Sequence, residues 1–318
     1  MRFTPSFGEA VQAIRKMRGA TQAHLLRLRD GSCCVVKFAN SPAGPRVLVN
    51  ELLSSLLLGE LGIATPEPAV IRVDEDFLRC NPEVLLTHEG VPYRVKLGWH
   101  FGSRFPGNPD TTAVFDLMPD AWLSRVVNND DFLGALVFDL WTCNAGPRQA
   151  IFFRAKVDYS AETGDRWFAQ MIDHDRALAG ARWRFTQIPP QALAWQRIVH
   201  VLRPSLEDFA PWLARLRAMP DQAFDQILHY VPAEWVCGEE RAFQQMIARL
   251  RARRNLVPAL LAQALMSRPD EPRRSSSRQL SGRRNPVFEE DLYAPVLRKR
   301  SARRAHDHRK PRGTAQPK

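Results

Sequence analysis

Residues 130–153 read DDFLGALVFDLWTCNAGPRQAIFF, and their reading decides the fold. The first twelve place apolar side chains at helical spacing and end in a polar loop, TCNAGPRQ. Two strand-like runs follow, IFFRAKVDY and RWFAQMID, joined by SAETGD, and together they read as a hairpin. The order is therefore helix, polar loop, hairpin, with Asp173 closing the second strand. The loop offers Asn144, Arg148 and Gln149 but no carboxylate.

Upstream, AHLLRLR and CCVVKF alternate or run apolar, with Asp30-Gly31 between them, a strong hairpin signal. A loop, NSPAGPR, leads into RVLVNELLSSLLLGELG, which has helical spacing and a closing Gly62. PEPAVIRVD reads as a return strand, so the order begins strand, strand, helix, strand. Residues 80–130 are rich in Gly and Pro and read as irregular; GWHFGSRFPGNP is taken as a loop carrying three aromatics and a His. Residues 182–266 are mostly helical, broken by prolines such as Pro204, Pro211, Pro220 and Pro232.

The 318 residues carry a formal charge of +11, unevenly placed. Residues 268–318 hold 15 Lys/Arg against 6 Asp/Glu, a net of +9, which leaves about +2 for residues 1–267. The basic character thus belongs to a tail, and it is no evidence for a nucleic-acid-binding core. The tail is dense in Arg, Ser and Pro and reads as disordered. Its run RKRSARRAHDHRKPR can contact phosphates of nucleic acid or an acidic surface, or simply be solvated. One island, VFEEDLYAPVL, can dock elsewhere. No run of about 18 uncharged apolar residues suggests a transmembrane segment. Five cysteines without zinc spacing, in a chain without a signal-like start, point to reduced thiols in the cytoplasm.

The expected architecture is α+β in two lobes: a small β-rich N-terminal lobe (residues 1–80), a mostly helical lobe with one hairpin (81–267), and the basic tail (268–318). A cleft between two such lobes is a common place for a ligand. Lys37 lies in a strand that should be largely buried, so its ammonium needs a partner. Glu51, 14 residues on, stands in the first turn of the next helix. A strand Lys paired with a helix Glu is how protein kinases grip nucleotide phosphates; the alternatives are a purely structural pair or a lysine that reaches the surface. Gly19, Ala20 and Thr21 are small enough for backbone N–H groups to approach an anion. Asp173 at a strand end can hold Mg²⁺ or simply form a turn, with Asp175 close behind. Asp139 can anchor the polar loop, Asn144 can hydrogen-bond at the cleft, and Arg148 can meet a phosphate. None of the three is a general base at neutral pH in this setting. Cys143 reads as a small core residue.

Taken together, RGATQAHLLRLRDGSCCVVKFANSPAGPRVLVNELLSSLLLGELGIATPEP, HFGSRFPG, FLGALVFDLWTCNAGPRQAIFF and MIDHDRAL make the chain, over roughly residues 8–260, resemble the HipA-like kinase family. The resemblance implies a two-lobed, protein-kinase-like fold that binds ATP and Mg²⁺ between its lobes. It puts Lys37 on the phosphates, Asp173 on the metal, and Thr21 and Gln22 in the loop above. Members usually carry Asp where this chain has Gly146, and many carry a metal-binding Asn where it has Ile151. Two expectations follow: a Ser/Thr kinase-type phosphotransferase of reduced rate, with Asp139 or Asp175 compensating, or a pseudokinase that serves as scaffold or nucleotide-binding regulator of a partner protein. A third, independent of the resemblance, is an adaptor that holds nucleic acid through its tail, residues 283–312.

Overall fold

A computed structural model of the chain describes residues 4–144, 146–155, 166–185, 199, 202 and 204–266. The tail, the connection 156–165 and residues 186–198 lie outside the described residues, as do the disorder and the nucleic-acid contacts expected of the tail.

The Asp30-Gly31 turn joins β2 (His24–Leu28) to β3 (Cys33–Lys37), antiparallel with Leu26 opposite Cys34. Gly31 takes a φ of 83°, and Asp30 Oδ1 accepts from the Ser32 backbone N–H at 2.9 Å and its hydroxyl at 2.6 Å. Left-handed backbone of this kind suits glycine. Before the hairpin runs β1 (Ser6–Lys16), which sequence patterning did not show because it is mostly half-buried or exposed. β1 pairs antiparallel with β2 and parallel with the return strand β4 (Pro68–Val73).

Between β3 and β4 stands α1 (Arg46–Glu60), buried from Val47 to Gly59. A helix apolar nearly all round belongs inside a protein. Gly62, φ 73°, ends it: the N–H of Ile63 donates to Leu58 O at 2.9 Å and that of Gly62 to Gly59 O at 2.9 Å, satisfying carbonyls the helix leaves open.

The region read as irregular is structured. After α2 (Glu75–Cys80), capped by Asp74 accepting from Phe77 N–H, β5 (Leu85–His88) and β6 (Val91–Arg94) form a hairpin about Glu89-Gly90, both with positive φ. The segment taken as a loop is β7 (Gly98–Arg104), bonded to β3 on one side and β4 on the other. It closes a five-stranded barrel in the order β1-β2-β3-β7-β4. Gly102 is small for a reason: a Cβ there would meet Ile71 Cγ1 at 2.7 Å and Cys34 Cβ at 3.3 Å, so the glycine is dictated by packing and not by a turn. The β-rich unit consequently runs to Arg104, beyond the boundary near residue 80 that patterning placed. Alternation divides its faces. Leu26, Cys34, Val36 and Ile71 fill the barrel, while Leu25, Cys33 and Val35 turn outward to meet Val114 and Ile151.

The remainder is mostly helical. α3 (Asp131–Thr142) is the apolar helix of the opening stretch. Its last carbonyls, Leu140 O and Trp141 O, each accept from the Arg253 guanidinium at 2.9 Å. β8 (Val114–Phe115), β9 (Gln149–Ala155) and β10 (Arg166–Ile172) form a sheet in the order β10-β9-β8. Helices Ala210–Ala218, Asp221–His229, Glu240–Arg253 and Val257–Met266 share one core with α1 and α3.

Two expected outcomes test this packing. A Cβ on Gly134 of α3 would fall 2.3–2.7 Å from the Trp212 ring. Alanine is the better helix former by about 1 kcal/mol, yet a buried ring cannot step aside, so Gly134→Ala should lower stability by about 1–3 kcal/mol in urea unfolding. His100 lies inside the barrel, accepting from Ala39 N–H at 3.0 Å and bonded to Lys96 O at 2.9 Å. Burial pushes its pKa down from 6.5 to about 4, against the pull of the Lys96 carbonyl. The unfolded chain therefore binds this proton first, and stability falls as pH drops from 6.5 towards 4, by on the order of 3 kcal/mol for this group. Half-buried Asp131 and Asp175, whose pKa values desolvation raises, act in the opposite sense. The decisive quantity is therefore the difference between wild type and His100→Gln, whose unfolding midpoint should depend less on pH in that window.

Candidate functional site

Strand periodicity turns Lys37 to the same side of β3 as Val35, away from the barrel interior and towards a cavity of about 490 Å³. The cavity lies between the barrel and the helical part. Val35, Phe101, Val114, Ile151 and Ile172 give it apolar walls; Lys37, Glu51 and Asp173 give it a charged floor. Three separate elements meet there. Lys37 Nζ donates to Glu51 Oε1 of α1 at 2.5 Å and to Asp173 Oδ1, just past β10, at 2.7 Å. Burial alone would lower the lysine's pKa, but the two carboxylates outweigh it and the net shift is upward, so the ammonium stays charged.

Asp173 holds a left-handed backbone, φ 57°, uncommon for a residue with a side chain. Two contacts pin it. The His174 N–H donates to Glu51 Oε1 at 3.0 Å, and Gln149 Nε2 donates to Asp173 Oδ2 at 2.5 Å. Gln149 lies opposite Ile172 across the β9–β10 pair, on the same face as Ile151. Strand alternation counted back from Ile151 was the signal for it.

Asp139, Asn144 and Arg148 come together, but largely behind the cavity. The Arg148 guanidinium bonds both oxygens of Asp139 and meets His174 Nδ1 at 2.7 Å. Asn144 Nδ2 donates to Asp139 Oδ1 at 2.8 Å, and Asn144 Oδ1 accepts from Gly146 N–H at 3.1 Å. All four side chains are buried. A guanidinium this enclosed needs a carboxylate, so Arg148 is held by Asp139 and not presented to a phosphate. Asn144 alone of the three lines the cavity. Asp139, with both oxygens committed, is not available as a replacement base. The network fastens the polar loop to the segment after β10, and Cys143, buried with φ 53°, begins the turn.

Gly19, Ala20 and Thr21 line the cavity at the β1–β2 connection, where the N–H of Met17 donates to Ala23 O at 2.7 Å and Gly19 takes a φ of 125°. Gln22 does not line it. Its amide instead donates to Thr87 O at 2.6 Å, while its Oε1 accepts from Thr87 N–H at 2.8 Å and Lys16 Nζ at 2.9 Å, tying the loop to β5. Arg176 went unnoticed in the sequence: it is exposed, lines the cavity, and lies across Gly146, where a Cβ would approach its Cδ to 2.7 Å. Gly146 thus leaves room for an arginine where the resemblance led us to look for a carboxylate.

Among the described residues, no three His, Cys, Asp or Glu side chains cluster as a metal cage. Asp173 and Asp175 do line one cavity together with the amides of Asn144 and Gln149. That donor set, one or two carboxylates with neutral oxygens, suits a hydrated Mg²⁺ that also takes phosphate oxygens, and does not suit zinc. Burial and then the neighbouring Asp173 charge push the Asp175 carboxyl pKa up.

No family model matches the chain, and no curated protein matches it. Among solved structures, "Crystal structure of the golgi casein kinase" aligns with a TM-score of 0.47 at 9% identity, over 82% of this chain and 75% of that one. "Crystal structure of the Golgi casein kinase with Mn/ADP bound" gives 0.41 at 10% identity, over 83% and 75%.

The buried network yields one expected outcome. Arg148→Met strands the Asp139 carboxylate and should cost about 3–5 kcal/mol in urea unfolding, whereas the double variant Asp139→Leu/Arg148→Met should recover most of it.

Proposed function

We propose that the chain binds ATP with Mg²⁺ in this cavity and is a protein-kinase-type phosphotransferase of low rate. The observation that carries the reading is Lys37, held between Glu51 and Asp173 on the charged floor of an apolar-walled cavity beneath the small-residue turn 19–21. An adenine ring suits the slot between Val35 and Ile151 or Ile172. Lys37 contacts phosphate oxygens, oriented by Glu51, and the turn offers backbone N–H groups from above. Asp173, with the Gln149 and Asn144 amides nearby, would hold Mg²⁺, which would supply positive charge to offset that of the phosphates. Arg176, with no side chain at residue 146 to block it, reaches the terminal phosphate. Asp175 is the proton acceptor on offer beside Asp173, and its raised pKa suits a base better than an ordinary aspartate.

A second reading, a pseudokinase that binds nucleotide without transferring phosphate, is favoured by Gly146 and Ile151. The loop 144–148 holds no carboxylate, and residue 151 gives the cavity an apolar wall in place of a metal ligand. Proton removal by a base contributes about 10²–10⁴-fold, so the two readings differ in rate and not in binding.

Calorimetric titration of ATP into the full chain separates these readings from their failure. Binding should require Mg²⁺ and weaken at least about tenfold in Lys37→Ala and Asp173→Ala, with folding checked by thermal melting. Arg176→Ala should weaken ATP and leave ADP unchanged. Transfer of labelled terminal phosphate to the chain itself or to a generic protein acceptor would then support the enzyme, and its absence the pseudokinase. No nucleotide binding by the wild type would overturn both.

A further inference from the structure

Both oxygens of Asp173 are already taken. Lys37 Nζ donates to Oδ1 at 2.7 Å and Gln149 Nε2 to Oδ2 at 2.5 Å. The two bonds differ in kind. The Lys37 ammonium is largely buried and is shared with Glu51. Gln149 is exposed, and among the described residues no second bond holds its amide. A glutamine amide has two faces: its nitrogen only donates and its oxygen only accepts, on ends of nearly equal size. Half a turn about the Cγ–Cδ bond therefore exchanges a donor for an acceptor at the same place, without moving the strand. The strand pairing fixes that place. Gln149 opens β9 opposite Ile172, the residue before Asp173. Two residues on, the same face carries Ile151, whose side chain has no oxygen to give a cation.

We infer that Gln149 is a reversible latch on the cation site: its amide nitrogen caps Asp173 until nucleotide binds, and its oxygen turns in to complete the site when nucleotide and divalent cation arrive together. The inference rests on the nucleotide site proposed above and adds its regulation, namely that the chain refuses the cation alone. The contacts on the cavity floor give the reason. Asp173 has no oxygen that is not already bonded, and the nearest positive charge, the Lys37 ammonium, stands 2.7 Å from Oδ1. That ammonium stays charged, because Glu51 and Asp173 hold its proton against the effect of burial. A second cation brought to Asp173 without further negative charge is therefore repelled at short range. Phosphate oxygens alter both conditions. They draw Lys37 away from Oδ1 and add negative charge, and turning the Gln149 amide then releases Oδ2. Magnesium sites commonly combine one or two carboxylates with substrate phosphates, which is the set of oxygens this exchange assembles. Asp173 is held in its left-handed backbone by the His174 N–H on Glu51, so the carboxylate stays in place while its partners change.

The test uses the full chain, with Mn²⁺ as a paramagnetic probe that takes the same oxygen ligands as Mg²⁺. Gln149 is exposed, so its substitution leaves the packed core intact. Without nucleotide, wild type should leave the resonance of free Mn²⁺ unchanged up to about 1 mM. Gln149→Glu, which sets a second carboxylate beside Asp173, should bind Mn²⁺ alone and reduce that signal, and Gln149→Glu/Asp173→Asn should lose the binding. In calorimetry at fixed Mg²⁺, Gln149→Leu, which keeps the bulk and removes the oxygen, should bind ATP about tenfold more weakly than wild type. Its thermal midpoint without ligand should stay at the wild-type value, which separates the loss from a structural one. Binding of Mn²⁺ by wild type without nucleotide would overturn the latch, as would unchanged ATP affinity in Gln149→Leu or failure of Gln149→Glu to bind Mn²⁺. Each of these leaves nucleotide binding by wild type standing. A wild type that binds no ATP under any condition overturns the nucleotide reading and the latch together, so the two failures are told apart.

Discussion

A charged lysine inside a protein must be answered, and the answer to Lys37 organises this one. Glu51 comes from the helix after its strand and Asp173 from the end of a hairpin 136 residues away. Removing any of the three would leave a buried charge without its partner, at a cost of several kcal/mol. The barrel, α1 and the hairpin are therefore fixed relative to one another by one ammonium group. The cavity exists where they meet because that group keeps them at hydrogen-bond distance while apolar side chains from β3, β9 and β10 line the space above.

α1 is the shared strut. Besides Glu51, its Arg46 bonds Glu239 and the carbonyl of Ala181 and lies over the Trp183 ring, 4.6 Å from its centroid. Asn50 donates to Asp175 O at 2.9 Å and accepts from Trp183 Nε1 at 2.8 Å. This one stretch of helix thus reaches the segment after β10, the turn that follows it and the C-terminal helices. The helix that carries Glu51 to Lys37 is thus braced from its far side as well.

Local chemistry was readable where it is strong. Asp30-Gly31 between two β-prone runs gave the first hairpin, apolar spacing with Gly62 gave α1, and the repeated aromatic and β-branched residues gave β9 and β10. Lys37 and Glu51 were recognisable because a polar residue in an apolar context demands a partner. What stayed hidden depends on tertiary contact. β1 is half-exposed and alternates weakly, and β7 contains two glycines that resemble loop residues until Ile71 and Cys34 are seen against Gly102. Arg148 looks like an anion ligand in any list of residues; only burial beside Asp139 and His174 shows that its charge is already matched. Arg176 carried no local signal at all, because its place is set by an absent side chain at Gly146.

Closure of the barrel has a consequence for how the chain acquires its shape. β1 bonds with a strand about sixty residues later, and that strand in turn needs β7, which arrives a further thirty residues on. Until Arg104 has left the ribosome, β3 and β4 each lack their neighbour, and their edges stand open to other chains. Contacts this distant in sequence form slowly. The first hundred residues are therefore a single kinetic unit: the helix at their centre can form early, but the strand bearing Lys37 is not fully seated until the last strand slides in beside it.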